Sequence, residues 1–520
     1  MSLSVVLNQQ SEKYPDQVFL RFERQPSEER PDSFVTTLTY AKFNALVNQT
    51  ANYLQALGLT KGDVFNVHLP NCVTFLALWF AGAHIGAVMM PTNVLASPDE
   101  LSYLFDHSEC KVSFCIQDQL QTVVQSQADC PMLANVILCD PYSHSPALDS
   151  LERRVSQCPT SESKNNINDY DLAAIMYTSG TTSKPKGVMV THANYIKAGD
   201  TVADAIRLTA RDRQFVVMPL FHGNAQYYST MSALLRGASI ALMDRFSASQ
   251  FMQKCFEHQC TVASLFAAPM RMILAQPEKA SDNQNLLRLV MYAQSITQQQ
   301  MDDWQRRYAA PLAQLWGMTE TMGPPLMNPY DEERRNLSIG KPIGGYEIRL
   351  IDDAGKDVEV GETGEILVKG EPGKTIMQGY FKNPQATEDT IKDGYLYTGD
   401  NARQDAQGYY HFVDRAKDMI KRSGENVAAT EVESAVLQHL SVFDCAVIGL
   451  PDELRDEQIV AVVVLNEDCQ LSEQELIDFC ASKLASFRVP NRIVFQDQLP
   501  RTSVGKIQKN LIRNQLIEQC

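Results

Sequence analysis

The sequence predicts an α/β fold: a large N-terminal domain of two βα sheet subdomains plus a β-barrel-like subdomain, followed by a small α+β C-terminal domain. Three observations support this organisation. Apolar, β-rich runs alternate with helical patterns through the first half. Short strands separated by glycine turns follow residue 337, and a strand and helix alternation resumes near residue 417. The 520 residues exceed what a single core accommodates, which agrees with several units.

The first half has the pattern of a parallel sheet. Strand-like apolar runs are VFNVHL, AVMM, VSFCI and NVILC, and YAKFNALVNQTANYLQAL has helical spacing. Residues 72–90 contain no Asp, Glu, Lys or Arg, which by length alone resembles a membrane span. Because Gly82, His84 and Gly86 interrupt this run and Pro91 ends it, a buried helix, a turn and a core strand are favoured.

The second half changes character twice. The segment SIGKPIGGYEIRLIDDAGKDVEVGETGEILVKG has short strand patterns between glycines, which predicts an antiparallel, barrel-like subdomain. Further on, NVAATEVESAVLQHL, FDCAVIGL, IVAVVVL and EQELIDFCASKL again alternate strands and helices. With the boundary near VDRAKD, we expect an N-terminal domain of residues 1–416 and a C-terminal domain of residues 417–520.

The composition narrows the class of protein. With 62 acidic and 46 basic residues the formal charge is -16, which disfavours broad binding to nucleic acid or to anionic lipid. The twelve cysteines include no C-x-x-C pair and the nine histidines are scattered, so neither a zinc site nor a disulfide framework is predicted. The N-terminus MSLSVVLNQQSEKYPDQ lacks the features of a signal peptide. We therefore expect a cytoplasmic protein with reduced thiols and no stable membrane insertion.

The stretch TSGTTSKPKG, residues 178–187, concentrates groups that bind phosphate oxygens. It holds five hydroxyls, two glycines and two lysines, and it lies between the strand-like runs LAAIMY and GVMV. It is not the Walker pattern, in which Gly-Lys-Ser begins a helix, because Pro185 biases Lys184 towards extended backbone. A polar surface loop is the alternative, but two lysines with this density of hydroxyls favour phosphate contact.

The segment QLWGMTE, residues 314–320, follows the end of a probable strand. Trp316 offers a face for stacking on a base, while Thr319 and Glu320 offer oxygen atoms for magnesium between phosphate groups. A buried Trp followed by helix-capping Thr and Glu is the commoner explanation of such a segment taken alone.

The segment DGYLYTGDNARQDAQGYYHFVDRAKD predicts a hairpin around residues 405–408. Counting outward from the turn sets Asp400 opposite Val413 or Asp414, with Arg415 beside it. The two oxygens of a carboxylate fit two vicinal hydroxyls of a ribose, and an Arg reinforces the same edge. The alternative is an exposed ion pair at the end of a strand.

The segment LPRTSVGKIQK places Lys506 after Gly505 in a predicted turn. Alone, a terminal Lys is ordinarily a solvated surface charge. In their order and spacing, however, the four motifs together resemble the adenylate-forming superfamily of acyl-CoA synthetases, stand-alone adenylation domains and luciferases, over nearly the whole chain.

This resemblance implies a role for each motif residue. The mobile loop on the β and γ phosphates corresponds to Thr178, Ser179, Gly180, Thr181, Thr182 and Lys186. Glu320 corresponds to the magnesium residue, and Thr319 to a contact with the α phosphate. Contacts with adenine and ribose correspond to Ala293, Gln294, Trp316, Gly317, Asp400 and Arg415. Around a mobile C-terminal domain, the hinge, the glycine beside the thiol tunnel and the catalytic Lys correspond to Lys417, Gly424 and Lys506.

Two departures from the family pattern concern the adenine site. The family usually has Tyr where Trp316 stands, and its adenine loop, commonly rich in Gly and Ala, here reads MYAQSIT. An indole face stacks at least as well as a phenol, and backbone carbonyls of this loop can still accept from the adenine amine.

The resemblance also places an acyl pocket in FHGNAQYY, LFAAPM and MYAQS. His222 would separate the acyl site from the thiol tunnel, and it replaces the Asp that amino-acid adenylation domains use for an α-amine. An acid without an α-amine is therefore implied. Polar and aromatic side chains favour a small polar acid, including one that bears a trimethylammonium group, over a fatty acid: Asn224, Gln226, Gln294, Tyr227, Tyr228, Phe266 and Trp316. The segments IKRSGENV, PGKTIMQGYFKNPQAT and FHGNAQ are most similar to carnitine and crotonobetaine CoA ligases.

The predicted activity is an acid-thiol ligase that uses ATP, Mg²⁺ and coenzyme A to form an acyl-adenylate and then a CoA thioester. One alternative is a stand-alone adenylation enzyme that loads the pantetheine of a carrier protein. Another is a nucleotide-binding regulator without catalysis, which Lys506, Glu320 and Asp400 disfavour. The expected partners are a small carboxylic acid, ATP and CoA, and not nucleic acid.

Overall fold

The computed structural model describes residues 1–26, 32–128, 130–143, 145–162, 165–178, 184–415, 418–422, 425–452, 456–467, 469–501 and 507–518. Its α-helices are α1 (Leu3–Lys13), α2 (Tyr40–Ala56), α3 (Val73–Ile85), α4 (Pro98–Ser108), α5 (Leu120–Gln127), α6 (Leu151–Val155), α7 (His192–Ala205), α8 (Ser232–Arg236), α9 (Phe251–Glu257), α10 (Ala267–Leu274), α11 (Gln298–Tyr308), α12 (Pro384–Thr390), α13 (Ala429–Val436), α14 (Glu473–Ala481) and α15 (Lys509–Glu518). A π-helix, Asn224–Met231, leads directly into α8.

The strands before the predicted boundary are β1 (Val18–Arg24), β2 (Phe34–Thr39), β3 (Val64–His68), β4 (Val88–Pro91), β5 (Val112–Ile116), β6 (Asn135–Cys139), β7 (Leu172–Thr178), β8 (Lys186–Thr191), β9 (Arg213–Val216), β10 (Ser239–Met243), β11 (Val262–Phe266), β12 (Leu289–Ala293), β13 (Leu312–Trp316), β14 (Leu326–Met327), β15 (Lys341–Pro342), β16 (Glu347–Ile351), β17 (Thr363–Lys369), β18 (Ile391–Lys392), β19 (Tyr395–Gln404) and β20 (Tyr410–Arg415). After it come β21 (Met419–Arg422), β22 (Glu425–Ala428), β23 (Val442–Asp452), β24 (Asp456–Leu465) and β25 (Arg492–Phe495).

Two largely parallel sheets form the main body of the chain. One has six strands in the order β6-β5-β3-β4-β7-β8, and the other has nine in the order β15-β14-β13-β12-β11-β9-β10-β1-β2. Antiparallel pairs lie towards the ends of these sheets: β1 with β2, β7 with β8, β13 with β14, and β14 with β15. A hydrophobic core shared by both sheets contains Phe65, Ala174, Phe215 and Leu265. The predicted βα organisation with two parallel sheets is confirmed.

The charge-free stretch that resembled a membrane span is α3 followed by β4. Its side chains are buried on every face of the helix, including Leu78, Trp79 and Phe80, because α3 packs between other elements of the core. Gly86 ends the helix with a left-handed backbone, φ 76°, as the predicted turn requires. None of the described helices combines the length and the apolar character that a membrane crossing needs.

A five-stranded antiparallel sheet follows, as predicted, with the path β16-β17-β19-β18 and β20 paired to β19. The last sheet has the path β22-β21-β24-β23 with β25 on β24, and it has apolar side chains on both faces. Along β23, Val447 faces one cluster with α13 and α14, while its neighbours Ala446 and Ile448 face another with α15. Covering both faces explains the nearly continuous apolar runs of β23 and β24. The exact boundary at residues 416 and 417 lies outside the described residues and stays a prediction.

The neighbouring strands β11, β12 and β13 bring three motifs to one edge of the nine-stranded sheet. These strands are parallel, with Phe266 opposite Ala293 and Ala293 opposite Leu315. Their carboxyl ends therefore present the segments LFAAPM, MYAQS and QLWGMTE side by side. In open α/β sheets, ligands bind at this edge of the strands.

Gly340 is a backbone position that the fold requires to be glycine. It has φ 91°, and a Cβ added there would lie 2.0 Å from the carbonyl carbon of Met327. Gly340→Ala should therefore lower the thermal unfolding midpoint strongly, because backbone must move and a cost of about 4 kcal/mol or more is typical of such strain. Gly355→Ala is the matched control, since Gly355 has φ 77° with no atom within 4 Å of the added Cβ, and only the left-handed cost of about 1–2 kcal/mol applies. Equal midpoints by circular dichroism would contradict this account.

Candidate active site

Asp400 joins the nine-stranded sheet to the antiparallel sheet. The indole Nε1 of Trp316 donates a hydrogen bond to Asp400 Oδ2 over 2.9 Å. On the other side, Asp400 Oδ1 lies 2.9 Å from Arg415 Nε, and the carboxylate is only 6% exposed. The Arg415 contact is an ion pair without hydrogen-bond geometry, so Oδ1 accepts no hydrogen bond from the described residues. An acceptor that lacks its donor fits a ribose hydroxyl.

The predicted pairing of Asp400 with Val413 or Asp414 is wrong, although the predicted neighbour Arg415 is present. Asp400 pairs directly with Arg415, and Asn401 pairs with Asp414. The register shifts between Asn401 and Ala402, so counting outward from the turn loses one residue at this bulge.

The adenine loop of the predicted site begins where β12 ends. Ala293 is the last residue of β12, and Gln294 has a left-handed backbone with φ 71° and an exposed side chain. Gln314 donates from Nε2 to the Gln294 carbonyl over 3.3 Å, which ties this turn to the strand that ends at Trp316. Left-handed backbone at a residue other than glycine is uncommon and concentrates at functional sites. The loop and the buried indole thus lie at the ends of neighbouring strands.

The turn after Trp316 depends on Gly317. A Cβ added at Gly317 would lie 2.7 Å from the Gly323 carbonyl oxygen and 3.1 Å from the Tyr228 hydroxyl. Thr319, two residues on, is half-buried, and its carbonyl accepts from Met322 N over 3.2 Å. This is a closed turn and not the start of a helix, so the helix-capping alternative does not apply.

Glu320 is a buried carboxylate held by a residue that sequence reasoning missed. Its Oε1 accepts a hydrogen bond from the Tyr380 hydroxyl over 2.9 Å, and its carbonyl accepts from Met377 N over 2.9 Å. Burial, with Glu320 beside it, raises the pKa of Tyr380 well above its ordinary value, so the phenol keeps the proton that it donates. Lys186 Nζ lies 4.8 Å from the centre of the Tyr380 ring. Tyr380 stands in the segment QGYF, which carries no local signal of this role.

Glu320 is the residue to which the family resemblance assigns magnesium, and this assignment stays a prediction. No group of three His, Cys, Asp or Glu residues in the described ranges is arranged to hold a metal ion. A single carboxylate nevertheless fits Mg²⁺, because this ion keeps several waters and is completed by the phosphate oxygens of a nucleotide.

The hydroxyl-rich loop predicted to contact phosphate has both of its ends fixed, by strand pairing and by contacts with α4. Thr178 pairs with Lys186 at the loop end of the β7–β8 hairpin. From α4, the Tyr103 hydroxyl donates to the Pro185 carbonyl over 3.0 Å, and His107 Nδ1 lies 2.7 Å from the hydroxyl of Tyr177. The intervening residues of the predicted phosphate contact, Ser179, Gly180, Thr181 and Thr182, lie outside the described residues.

The segment FHGNAQYY forms the start of the π-helix, next to β11. His222 packs edge-on against Phe266, with ring centroids 5.4 Å apart. Asn224 donates from Nδ2 to Ser264 Oγ over 2.8 Å, while its Oδ1 is buried and accepts no hydrogen bond from the described residues. π-Helical turns occur frequently at functional sites. His222, Asn224 and Phe266 are therefore together at the carboxyl edge.

Two other residues expected in the acyl pocket, Gln226 and Tyr227, have partners within the protein core. Gln226 accepts from the Tyr195 hydroxyl over 2.5 Å and donates to the Leu220 carbonyl over 2.5 Å. Tyr227 is 2% exposed, and its hydroxyl lies 2.9 Å from Met176 Sδ. The expectation that Gln226 and Tyr227 face the acid is corrected, since both polar ends of Gln226 have partners and the Tyr227 ring packs in the core. Their polarity serves the packing around α7.

The junction between β20 and α13 is closed by Asp414. Thr430 N donates to Asp414 Oδ2 over 3.2 Å, and the Thr430 hydroxyl donates to the Val413 carbonyl. Burial raises the pKa of Asp414 to about 6, with nearby Lys509 opposing and Glu433 adding to the rise. The residues predicted for the hinge, the thiol tunnel and catalysis, which are Lys417, Gly424 and Lys506, lie outside the described residues.

Comparisons with known proteins give consistent results along the whole chain. A model of the family described as AMP-binding enzyme matches residues 7–381, and a model of the AMP-binding enzyme C-terminal domain matches residues 431–506. A crotonobetaine/carnitine–CoA ligase of Escherichia coli O17:K52:H18 (strain UMN026 / ExPEC) is 36% identical over 488 residues, covering 93% of this chain and 94% of that protein. Two structures of MatB from Rhodopseudomonas palustris, each 26% identical and covering 99% of both chains, superpose with TM-scores of 0.87 for the ATP-bound form and 0.77 for the apo form.

Trp316→Phe tests the indole hydrogen bond to Asp400. The variant keeps an aromatic face but loses the N–H donor, and a hydrogen bond to a charged group contributes about 1.5–3 kcal/mol. We therefore expect the Kd for ATP to rise by roughly tenfold or more, measured by isothermal titration calorimetry.

Trp304→Phe is the matched control for this loss. Trp304 is also buried and donates from Nε1, over 3.1 Å to the Ala310 carbonyl, away from the carboxyl edge. Its replacement should lower the unfolding midpoint and leave the Kd for ATP unchanged. An unaltered Kd in Trp316→Phe would show that Asp400 does not need the indole.

Proposed function

This chain belongs to the AMP-binding enzyme family and is an AMP-forming acyl-CoA synthetase, and we propose that it activates a small polar carboxylic acid of the carnitine or crotonobetaine kind. The observation that carries the choice of acid is the 36% identity, over 93% of the chain, to a ligase named for those two acids. The same proposal takes ATP, coenzyme A and the acid as substrates, with Mg²⁺ as the metal ion.

In the first half-reaction a carboxylate oxygen attacks the α phosphorus of ATP. The bond from that phosphorus to the pyrophosphate oxygen breaks, which leaves an acyl-adenylate and pyrophosphate. Because both reactants are anionic, positive charge must lie between them as the transition state forms. We assign this charge to Lys506, since a Lys with its ordinary pKa of about 10.4 is protonated at neutral pH.

The nucleotide in this mechanism is oriented by side chains from β13, β19 and β20 and from the turn that follows β13. Asp400 takes the ribose hydroxyls with Arg415 beside it, and Trp316 keeps the carboxylate in place through its indole. Glu320 would hold Mg²⁺ with its orientation fixed by the hydroxyl of Tyr380. When bound there, the ion supplies positive charge beside the phosphate oxygens. Positioning of this kind lowers the barrier without new covalent chemistry.

In the second half-reaction the sulfur of CoA attacks the acyl carbon of the adenylate. The acyl–oxygen bond breaks, AMP departs, and the thiol loses its proton. Since a thiol arm must occupy the space near Lys506, we propose that the C-terminal part rotates about Lys417 between the two steps. Gly424 leaves room for the arm because it has no side chain.

Because both polar ends of Gln226 have partners within the protein, we assign the acid specificity to Asn224 and Gln294. The buried Asn224 Oδ1 lacks a donor among the described residues, and an alkyl chain against it would leave it unpaired. Such a group costs about 1–3 kcal/mol, enough for roughly tenfold discrimination. A trimethylammonium group over a ring such as that of Phe266 would gain about 0.5–2 kcal/mol.

A cytoplasmic location is part of the proposal. It rests on the described cysteines, from Cys72 to Cys480, all of which are free thiols. Thiols of this kind are maintained in reducing compartments.

Lys506→Ala tests the assignment of the two half-reactions. We expect it to abolish pyrophosphate release from ATP and acid while leaving thioester formation from a supplied acyl-adenylate largely intact, because Lys506 acts only in the first arrangement. The two half-reactions are measured separately. An equal loss in both would contradict the assignment.

A panel of acids tests the substrate class. With free CoA as acceptor, kcat/KM for carnitine or crotonobetaine should exceed that for butyrate and octanoate by roughly tenfold or more. Thioester formation with free CoA also separates this ligase from a carrier-protein loader. A preference for octanoate would show that Asn224 does not face the acid.

A further inference from the structure

Asp444 in β23 connects the large N-terminal part of the chain to the segment that leads to Lys506. Its Oδ1 lies 3.5 Å from Nη2 of Arg271 on α10, and its Oδ2 accepts from Nη2 of Arg501. The Asp444 side chain is 5% exposed and that of Arg271 is 11% exposed. One buried carboxylate thus lies between two guanidinium groups that belong to different parts of the molecule. We call this set the Arg271–Asp444–Arg501 clamp.

Local structure explains why these three side chains meet. The pairing of β23 shifts register between Val442 and Asp444, and a bulge re-aims the side chain that follows it. Arg271 is the fifth residue of α10, which continues directly from Phe266 at the acyl site. Burial and repulsion by the nearby Arg271 lower the pKa of Arg501 to about 10, and the Asp444 carboxylate lies between the two guanidinium groups.

Arg501 controls one end of the segment that contains Lys506. Arg501 forms a β-bridge with Ile507, and Gln508 N donates to the Pro500 carbonyl over 2.8 Å. Paired backbone therefore holds Arg501 and Ile507 together on either side of the segment that contains Lys506. A group that fixes Arg501 thus fixes the described residues that flank this segment.

The clamp lies in a cluster of opposite charges. Lys509 at the start of α15 forms an ion pair with Glu433 of α13 over 2.8 Å. The described charged side chains at this junction include Arg271, Arg501, Lys509, Asp414, Asp418, Glu433 and Asp444. Removing one member of a buried set leaves its partner unpaired, whereas separating the two parts of the chain returns the charges to water.

The arrangement of this chain is closer to an ATP-bound relative than to the same relative without ATP. The TM-score is 0.87 with ATP-bound MatB and 0.77 with apo MatB, at equal identity and coverage. The clamp is therefore present in a chain that superposes better on the ATP-bound form of that relative than on its apo form.

We propose that Asp444 is a positioning residue whose clamp with Arg271 and Arg501 holds the C-terminal part against α10 for adenylate formation, and that the clamp opens before thioester formation. This inference rests on the proposed function, because it requires Lys506 to act in the first half-reaction. Arg271 is the member of the clamp that belongs to the N-terminal part. Its loss should therefore weaken only the arrangement in which the clamp is formed.

Arg271→Met is the decisive variant, because it leaves Asp444 and Arg501 paired within the C-terminal part. Two assays use the full chain and the best acid of the panel: acid-dependent exchange of labelled pyrophosphate into ATP, and thioester formation from a synthetic acyl-adenylate with CoA. We expect exchange to fall at least tenfold while the thioester rate stays within about twofold of the native rate. Arg271→Lys, which keeps the charge, should recover part of the exchange.

Arg306→Met is the matched control, because Arg306 forms an exposed ion pair with Glu278 on neighbouring surface and should change neither assay. Asp444→Asn should reduce exchange further than Arg271→Met. Thermal unfolding midpoints within a few degrees of the native value identify the variants that remain folded. A proportional loss in both assays, or no loss of exchange, in folded Arg271→Met would overturn the inference.

Failure of the clamp and failure of the proposed function give different results. If Lys506→Ala loses exchange but Arg271→Met does not, only the clamp is wrong. If Lys506→Ala retains exchange, the assignment of Lys506 is wrong, and the clamp proposal falls with it.

Discussion

The buried carboxylate of Asp400 is the interaction on which the nucleotide site depends. It is 6% exposed, and a buried charge is tolerated only with partners that compensate it. Those partners come from two different sheets: the indole of Trp316 ends β13, and the guanidinium of Arg415 ends β20. The same contact therefore fixes the carboxyl edge of the large sheet against the last strand before the C-terminal part. A ribose held at Asp400 is held at that junction.

Glu320 and Asp444 follow the same physical rule with different consequences. Tyr380 holds Glu320 through a neutral hydroxyl, and both residues lie in the large N-terminal part. Asp444 instead takes its charged partners from both sides of the junction. In the proposed rotation, separation of the two parts would keep the Glu320 contact and break the Asp444 contact between the parts.

Local pattern was sufficient to predict most of the fold and the neighbourhood of the site. Alternating apolar runs predicted the strands from β3 to β6, whereas the phosphate contact of residues 179–182 stays a prediction. The proximity of Arg415 to Asp400 was predicted, but the register of the β19–β20 pair was not. The bulge between Asn401 and Ala402 has no recognisable sequence signal. Tyr380 was missed since it lies 60 residues from Glu320. The role of Gln226 was predicted wrongly because the sequence does not distinguish a polar side chain in the core from one in a pocket. The hydrogen bond from the Tyr195 hydroxyl, seen in the structure, identifies Gln226 as a core residue.

Recognition of the ribose diol by Asp400 can be tested in one binding measurement. Isothermal titration calorimetry of the native enzyme compares AMP with 2′,3′-dideoxy-AMP, which lacks both hydroxyls and keeps the base and phosphate. Because a hydrogen bond to a charged group contributes about 1.5–3 kcal/mol, the account predicts a Kd at least roughly tenfold higher for the dideoxy nucleotide. Equal Kd values for the two nucleotides would contradict it.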